Sequence, residues 1–152
     1  MTNAGEREMK YVKPVLGALV LAAVHVIAAY IGTFGMLFFV FSGIGTAVTI
    51  TVVTAFMLIY IAAAFILAVK RPNAITGAYF VILAVLSVLG GIFRNVDSVF
   101  GNVPLTIATG PMPWLWMWTL GRGAIGFAAA AAIYSALAAL TITKTVKNKS
   151  NT

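Results

Sequence analysis

Cysteine is absent from the 152 residues, which excludes disulfides, thiolate metal ligation and thiol redox chemistry. Acidic residues are almost as scarce: Glu6, Glu8 and Asp97 are the whole set, and only Asp97 lies beyond the N-terminal segment. No long apolar run contains a carboxylate, so paired acid–base catalysis, oxygen-rich metal cages and the buried acid of many proton-coupled carriers have no residues to draw on. His25 is the single histidine, which excludes bis-histidine haem ligation within one chain. The glycine-spaced stretches "GIGTAV" and "GRGAIG" follow no strand and read as turn or packing glycines, not nucleotide loops. An enzyme acting alone is not expected.

Charge is scarce as well. Charged residues make up 9% of the chain and hydrophobic ones 62%, against about 25% and roughly 45–50% in soluble domains. So few polar side chains cannot coat a globule of this size, whereas lipid tails solvate an apolar exterior. The net charge of +7 comes from basic residues at the ends of apolar runs, with no aromatic-interleaved stripe, so it signals topology and not a nucleic-acid surface.

What is present is four long apolar segments, 14–41, 46–69, 75–93 and 113–143. Each approaches or exceeds the roughly 20 residues with which a helix crosses a hydrocarbon core, and none alternates as a transmembrane strand does. Pro14 suits a first helical turn; Ser42, Gly43 and Gly45 suit a tight hairpin; "KRPN" at Lys70 to Asn73 separates the second segment from the third. The first run is too long to be the apolar region of about 7–15 residues in a cleaved leader. Arg7, Lys10, Lys13, Lys70, Arg71, Lys144, Lys147 and Lys149 fall on one side of such a threading, and only Arg94 and Arg122 on the other. That asymmetry places the first side in the cytoplasm.

The expected fold is an all-α integral membrane protein of the cell membrane, its four transmembrane helices forming two antiparallel hairpins in one four-helix bundle with both termini inside. Residues 1–13 form a basic cytoplasmic segment and 14–143 the transmembrane domain, with an outer loop at 95–112. Residues 144–152 form a basic tail, helical to Lys144 and then frayed, whose lysines favour anionic lipid. As a helix the first segment is about 42 Å long and exceeds a core of about 30 Å, so it tilts, protrudes or bends, with Gly32 and Gly35 as the places for a bend.

Trp114, Trp116 and Trp118 mark the outer interface, where an indole ring is half dry and its N–H is wet. Arg122 then sits near the rim and snorkels outward, avoiding most of the roughly +2.5 to +3.5 kcal/mol that a charge costs at the membrane centre. Arg94 ends the third segment at the same level, and Asp97 follows one turn later. Arg94, Asp97 and Arg122 form an expected outer cluster with three readings. One is an ion pair that pins the third helix to the fourth against phosphate headgroups; the second is an anion, quinone or lipid-headgroup site; the third is crowding by a partner subunit.

Inside the spans, Gly77, Ala84, Ser87 and Gly91 share a stripe of the third helix. Ala124, Ala128, Ala132 and Ala136 repeat the device in the fourth, beside a second row of Gly126, Ala130 and Ala138 around Tyr134. Small residues let backbones approach, which matters because lipid supplies no hydrophobic drive for helix association. Packing within the chain is the default reading and packing on another subunit its alternative. Thr46, Thr49, Thr51 and Thr54 line the outer half of the second helix, either as a hydroxyl path for ions or as hydroxyls returned to carbonyls one turn back. His25 lies about 18 Å along the first helix from Lys13. With Thr49 and Thr54 it makes a candidate intramembrane polar site, because an ionisable group in a span is a functional candidate by default. Its structural reading is a hydrogen bond to a neighbouring hydroxyl such as a helix-two threonine.

The loop "NVDSVFGNVPLTIATGPMP", Asn95 to Pro113, is longer than usual and rich in apolar residues, as a segment docked on the interface or on a partner would be. These features together point to a non-catalytic accessory or structural subunit of a multi-subunit membrane complex, a respiratory one for example. The alternative is a small homo-oligomeric channel or transporter. Membrane lipids and other integral subunits, or further copies of the chain, are the expected partners. No cofactor of its own is expected, beyond lipid, or a quinone or haem shared with a neighbouring subunit.

Overall fold

The computed structural model describes residues 12–28, 31, 42–43, 45–93 and 123–150. Expectations for the bend at Gly32 and Gly35, the outer loop, Arg94, Asp97, Arg122 and the three tryptophans lie outside these residues. Among the described residues there are four helices: α1 (Val12–Ala28), α2 (Thr46–Lys70), α3 (Ala74–Phe93) and α4 (Gly123–Ser150). α2, α3 and α4 are long and apolar enough to cross a membrane, and α1 is apolar but shorter over its described part. The described residues are helical apart from short links, and such an architecture suits lipid, where each backbone N–H and C=O must find its partner within the segment.

Local chemistry sets the ends. Gly43 takes a left-handed φ of 73° in the turn before α2, a conformation that glycine enters without steric cost. α2 stops at Lys70, where the Arg71 N–H still reaches the Leu67 carbonyl and Pro72 cannot continue the ladder. Lys70 in that last turn faces the negative end of the helix dipole. Asn73 then starts α3, its side-chain oxygen accepting the Thr76 N–H at 2.9 Å, the usual satisfaction of an orphan donor at a helix N-terminus.

At its C-terminal end α4 departs from the expected boundary: the helix runs past Lys144 to Ser150 without fraying at the lysine. Lys147 and Lys149 occupy its last turn, where positive charge complements the dipole, and the Ser150 hydroxyl donates to the Lys147 carbonyl at 2.8 Å.

The core is assembled from one stripe per helix. α1 contributes Ala18, Ala22 and His25; α2 contributes Ala64 and Ala68; α3 contributes Tyr79, Phe80 and Leu83; α4 contributes Ala130, Tyr134, Leu137 and Ala138. The opposite faces are apolar and exposed, as with Leu16, Val20, Val24 and Ile27 on α1 and Leu58, Ile59, Phe65 and Ile66 on α2. Among α2, α3 and α4, the contact between α3 and α4 is the most extensive. A Cβ added to Gly77 would lie 3.2 Å from Ile142, and one added to Gly91 would lie 3.3 Å from Phe127, so the two helices pack in antiparallel register at close range. Gly17 of α1 meets Ile75 of α3 in the same way, at 3.0 Å.

Candidate functional site

Four polar side chains, one from each helix, meet inside this apolar core. The His25 ring is buried. Its Nδ1 lies 2.7 Å from the Tyr60 hydroxyl of α2 and 2.8 Å from the Tyr79 hydroxyl of α3. The Tyr60 hydroxyl is also 3.3 Å from Nε2, and it is hydrogen-bonded to the Tyr134 hydroxyl of α4 at 3.2 Å. Both neighbouring rings cross the imidazole edge-on, with centroids 5.4 Å and 5.8 Å away for Tyr60 and Tyr79.

The alanines explain how these groups reach each other. Ala18 and Ala22 precede His25 on the buried stripe of α1, Ala64 and Ala68 follow Tyr60 on α2, and Ala130 and Ala138 flank Tyr134 on α4. Side chains this short let the backbones close in around the rings. Among the described residues every buried side-chain N or O has a hydrogen-bond partner, as an interior of low dielectric requires.

Twelve positions separate Lys13 from His25 on α1, ten separate Tyr60 from Lys70 on α2 and ten separate Tyr134 from Lys144 on α4. At about 1.5 Å per residue, these three side chains originate about 15–18 Å along their helices from a basic residue.

Chemically, the arrangement is amphoteric. A neutral imidazole offers one N–H donor and one lone pair, while each phenol both donates and accepts. Two phenols converge on Nδ1, so the tautomer of His25 decides whether Nδ1 accepts from a phenol hydroxyl or donates to a phenol oxygen. Among the described residues no three His, Cys, Asp or Glu side chains come together.

Of the expected intramembrane trio, His25 is therefore at the centre of the layer, and the second helix contributes Tyr60 to it. The Thr54 hydroxyl donates to the Ile50 carbonyl at 2.7 Å and that of Thr51 to the Ala47 carbonyl at 2.9 Å; the Thr49 side chain lies outside the described residues. On α3, Gly77, Ser87 and Gly91 face α4 or the core, and Ala84 packs against the core's edge. On α4 the buried row is Gly126, Ala130, Tyr134 and Ala138, whereas Ala128, Ala132 and Ala136 are exposed on the single chain. Tyr60 and Tyr79 are the residues that sequence reasoning passed over. Tyr60 has one signal, a depth in its segment close to that of His25; Tyr79, near the start of α3, has none.

No known family model, curated protein or solved structure matches the chain.

Proposed function

We propose that the chain is a multipass protein of the cell membrane, with four spans in two antiparallel hairpins and both termini in the cytoplasm. In this reading it serves as a non-catalytic accessory subunit of a multi-subunit membrane complex. The contacts support the threading: Gly17 beside Ile75, and Gly77 beside Ile142 and Thr141, bring the Lys13, Lys70, Arg71 and Lys144 ends together. Gathered on one side, those charges favour the cytoplasm.

The observation that carries the subunit reading is the division of the chain's polarity. Its central polar groups are satisfied by its own four helices, while Ala128, Ala132 and Ala136 on α4 leave a small-residue face outward. A foreign helix can approach closely along such a face. Interfacial lipids would fill the remainder of the apolar surface.

Native mass spectrometry of the protein, extracted from its source membrane in mild detergent, tests this. Stoichiometric companion subunits are expected, and a quinone or haem held jointly with a neighbour would appear in the same spectrum. A solitary chain, or a ring of identical copies that passes ions or solutes across liposomes, overturns the reading in favour of a small channel or transporter. The buried His25 gives that second reading its one structural footing, so loss of flux in His25→Ala and Arg122→Ala would be its signature.

A further inference from the structure

We propose that the His25 layer is an intramembrane proton-binding site, in which the imidazole takes up one proton and tyrosine oxygens solvate the resulting cation. The geometry is that of a ring nitrogen with two hydroxyl oxygens already within hydrogen-bond distance. In the imidazolium both nitrogens donate; with Nε2 carrying its hydrogen in either state, Nδ1 is the atom that changes role. Nδ1 has the Tyr79 oxygen at 2.8 Å and the Tyr60 oxygen at 2.7 Å. The Tyr60 hydroxyl is then free to donate onward to Tyr134, 3.2 Å away.

Little has to move for this to happen. In the neutral ring with its lone pair on Nδ1, one phenol donates to that nitrogen, and Tyr79 is placed to do so. On protonation the Nδ1–H donates instead, and the Tyr79 hydroxyl hydrogen rotates away about its C–O bond while the oxygen stays where it is. Hydrogen bonds from a charged donor are about twice as strong as neutral ones, so the same heavy-atom positions serve both states. The titratable groups set against His25 are Tyr60 from α2, Tyr79 from α3 and, through Tyr60, Tyr134 from α4. Each phenol is an oxygen acceptor in its neutral form, so the cation is stabilised by dipoles contributed by all three neighbouring helices. Proton uptake thereby acts on the joint where the four helices meet. The inference rests on this geometry and is independent of whether the chain serves as a subunit or a channel.

His25 is the single histidine, so biosynthetic labelling with 15N-histidine reports on this ring alone. The experiment is solid-state NMR of the full chain in phospholipid vesicles, titrated from about pH 4 to about pH 9, which brackets the ordinary histidine range. The ring nitrogens are expected to convert reversibly from the neutral to the imidazolium pattern within that window. In Tyr79→Phe, which keeps the ring and removes the oxygen, proton affinity should fall about tenfold, the loss of one hydrogen bond to a charged group. Should Tyr79→Phe not fold, Tyr60→Phe is compared in the same way, with circular dichroism as the control for helix content. A ring locked in one neutral tautomer across the whole range overturns the proposal. So does a titration that the tyrosine substitution leaves unmoved.

Discussion

At the scale of single residues, glycines decide how closely the helices sit, and the surroundings of each one separate tolerant positions from intolerant ones. A Cβ at Gly90 would fall inside the envelope of the Phe127 ring, 2.8 Å from its Cδ1, whereas one at Gly17 meets the flexible tip of Ile75 at 3.0 Å. Overpacking against a buried ring costs about 1–3 kcal/mol, and alanine in a helix gains roughly 1 kcal/mol over glycine. Gly90→Ala is therefore expected to lower the thermal midpoint in detergent, and Phe127→Leu in the same chain to restore more than half of the loss. Gly17→Ala should lie within about 1 kcal/mol of the parent, because a rotamer change of Ile75 makes the room. Equal midpoints for Gly90→Ala and Gly17→Ala would show that α3 and α4 are not as close as the contact with Phe127 implies. A similar contrast holds for hydroxyls. Ser87 is fully buried and its hydroxyl donates to the Leu83 carbonyl of its own helix at 2.8 Å, so Ser87→Ala removes no bond between helices and should change stability by less than about 1 kcal/mol. Ser87→Leu, which must displace the facing helix, should cost several times more in the same assay.

Among the elements, the boundaries that rest on strong local chemistry were legible in the sequence and those that rest on context were not. The "KRPN" break separates α2 from α3 because proline and an asparagine cap act locally; α2 and α3 begin and end within a residue of the expected 46–69 and 75–93. Past Lys144, composition turns polar and basic, which reads as fraying, yet the dipole of a long helix favours lysines in its final turn and α4 continues to Ser150. The buried face of α4 was legible only to within one row, because alanines at 128, 132 and 136 and at 130 and 138 carry the same periodic signal. What separates the rows is Tyr134, whose bulk and hydroxyl require an interior partner. The same limit hid most of the candidate site: His25 stands out as an ionisable group in a span, whereas Tyr60 and Tyr79 look like ordinary amphipathic aromatics until the helices are assembled around them. The local device at the α2–α3 junction can be tested directly. Asn73 holds the Thr76 N–H, so Asn73→Ala should destabilise by about 1 kcal/mol, while Asn73→Asp or Asn73→Ser, which keep an acceptor, should lie within a few tenths of the parent. Indistinguishable unfolding of the alanine and aspartate variants would remove the cap from the account of this turn.

For the whole molecule, the proposed orientation in the bilayer rests on the basic residues and the way the helices place them. α1 and α3 run in the same direction, since Gly17 meets Ile75 and His25 meets Tyr79, and the short Arg71–Asn73 link reverses α2 against α3. α4 runs against α3, as Gly77 beside Ile142 and Gly91 beside Phe127 require. Lys13, Lys70, Arg71 and Lys144 consequently share one end of the bundle. Moving that much positive charge across a membrane during insertion is strongly disfavoured, and the proposed threading therefore keeps that end in the cytoplasm. The chain contains no cysteine, so single substitutions can be read without a background. Pro72→Cys, at the link between α2 and α3, should react with a membrane-impermeant maleimide only after the cells are opened. Asn102→Cys, between the third and fourth apolar segments, should react in intact cells. Labelling of both positions from the same side would break the two-hairpin threading. The reverse pattern would keep the bundle but invert it, moving the basic end outside.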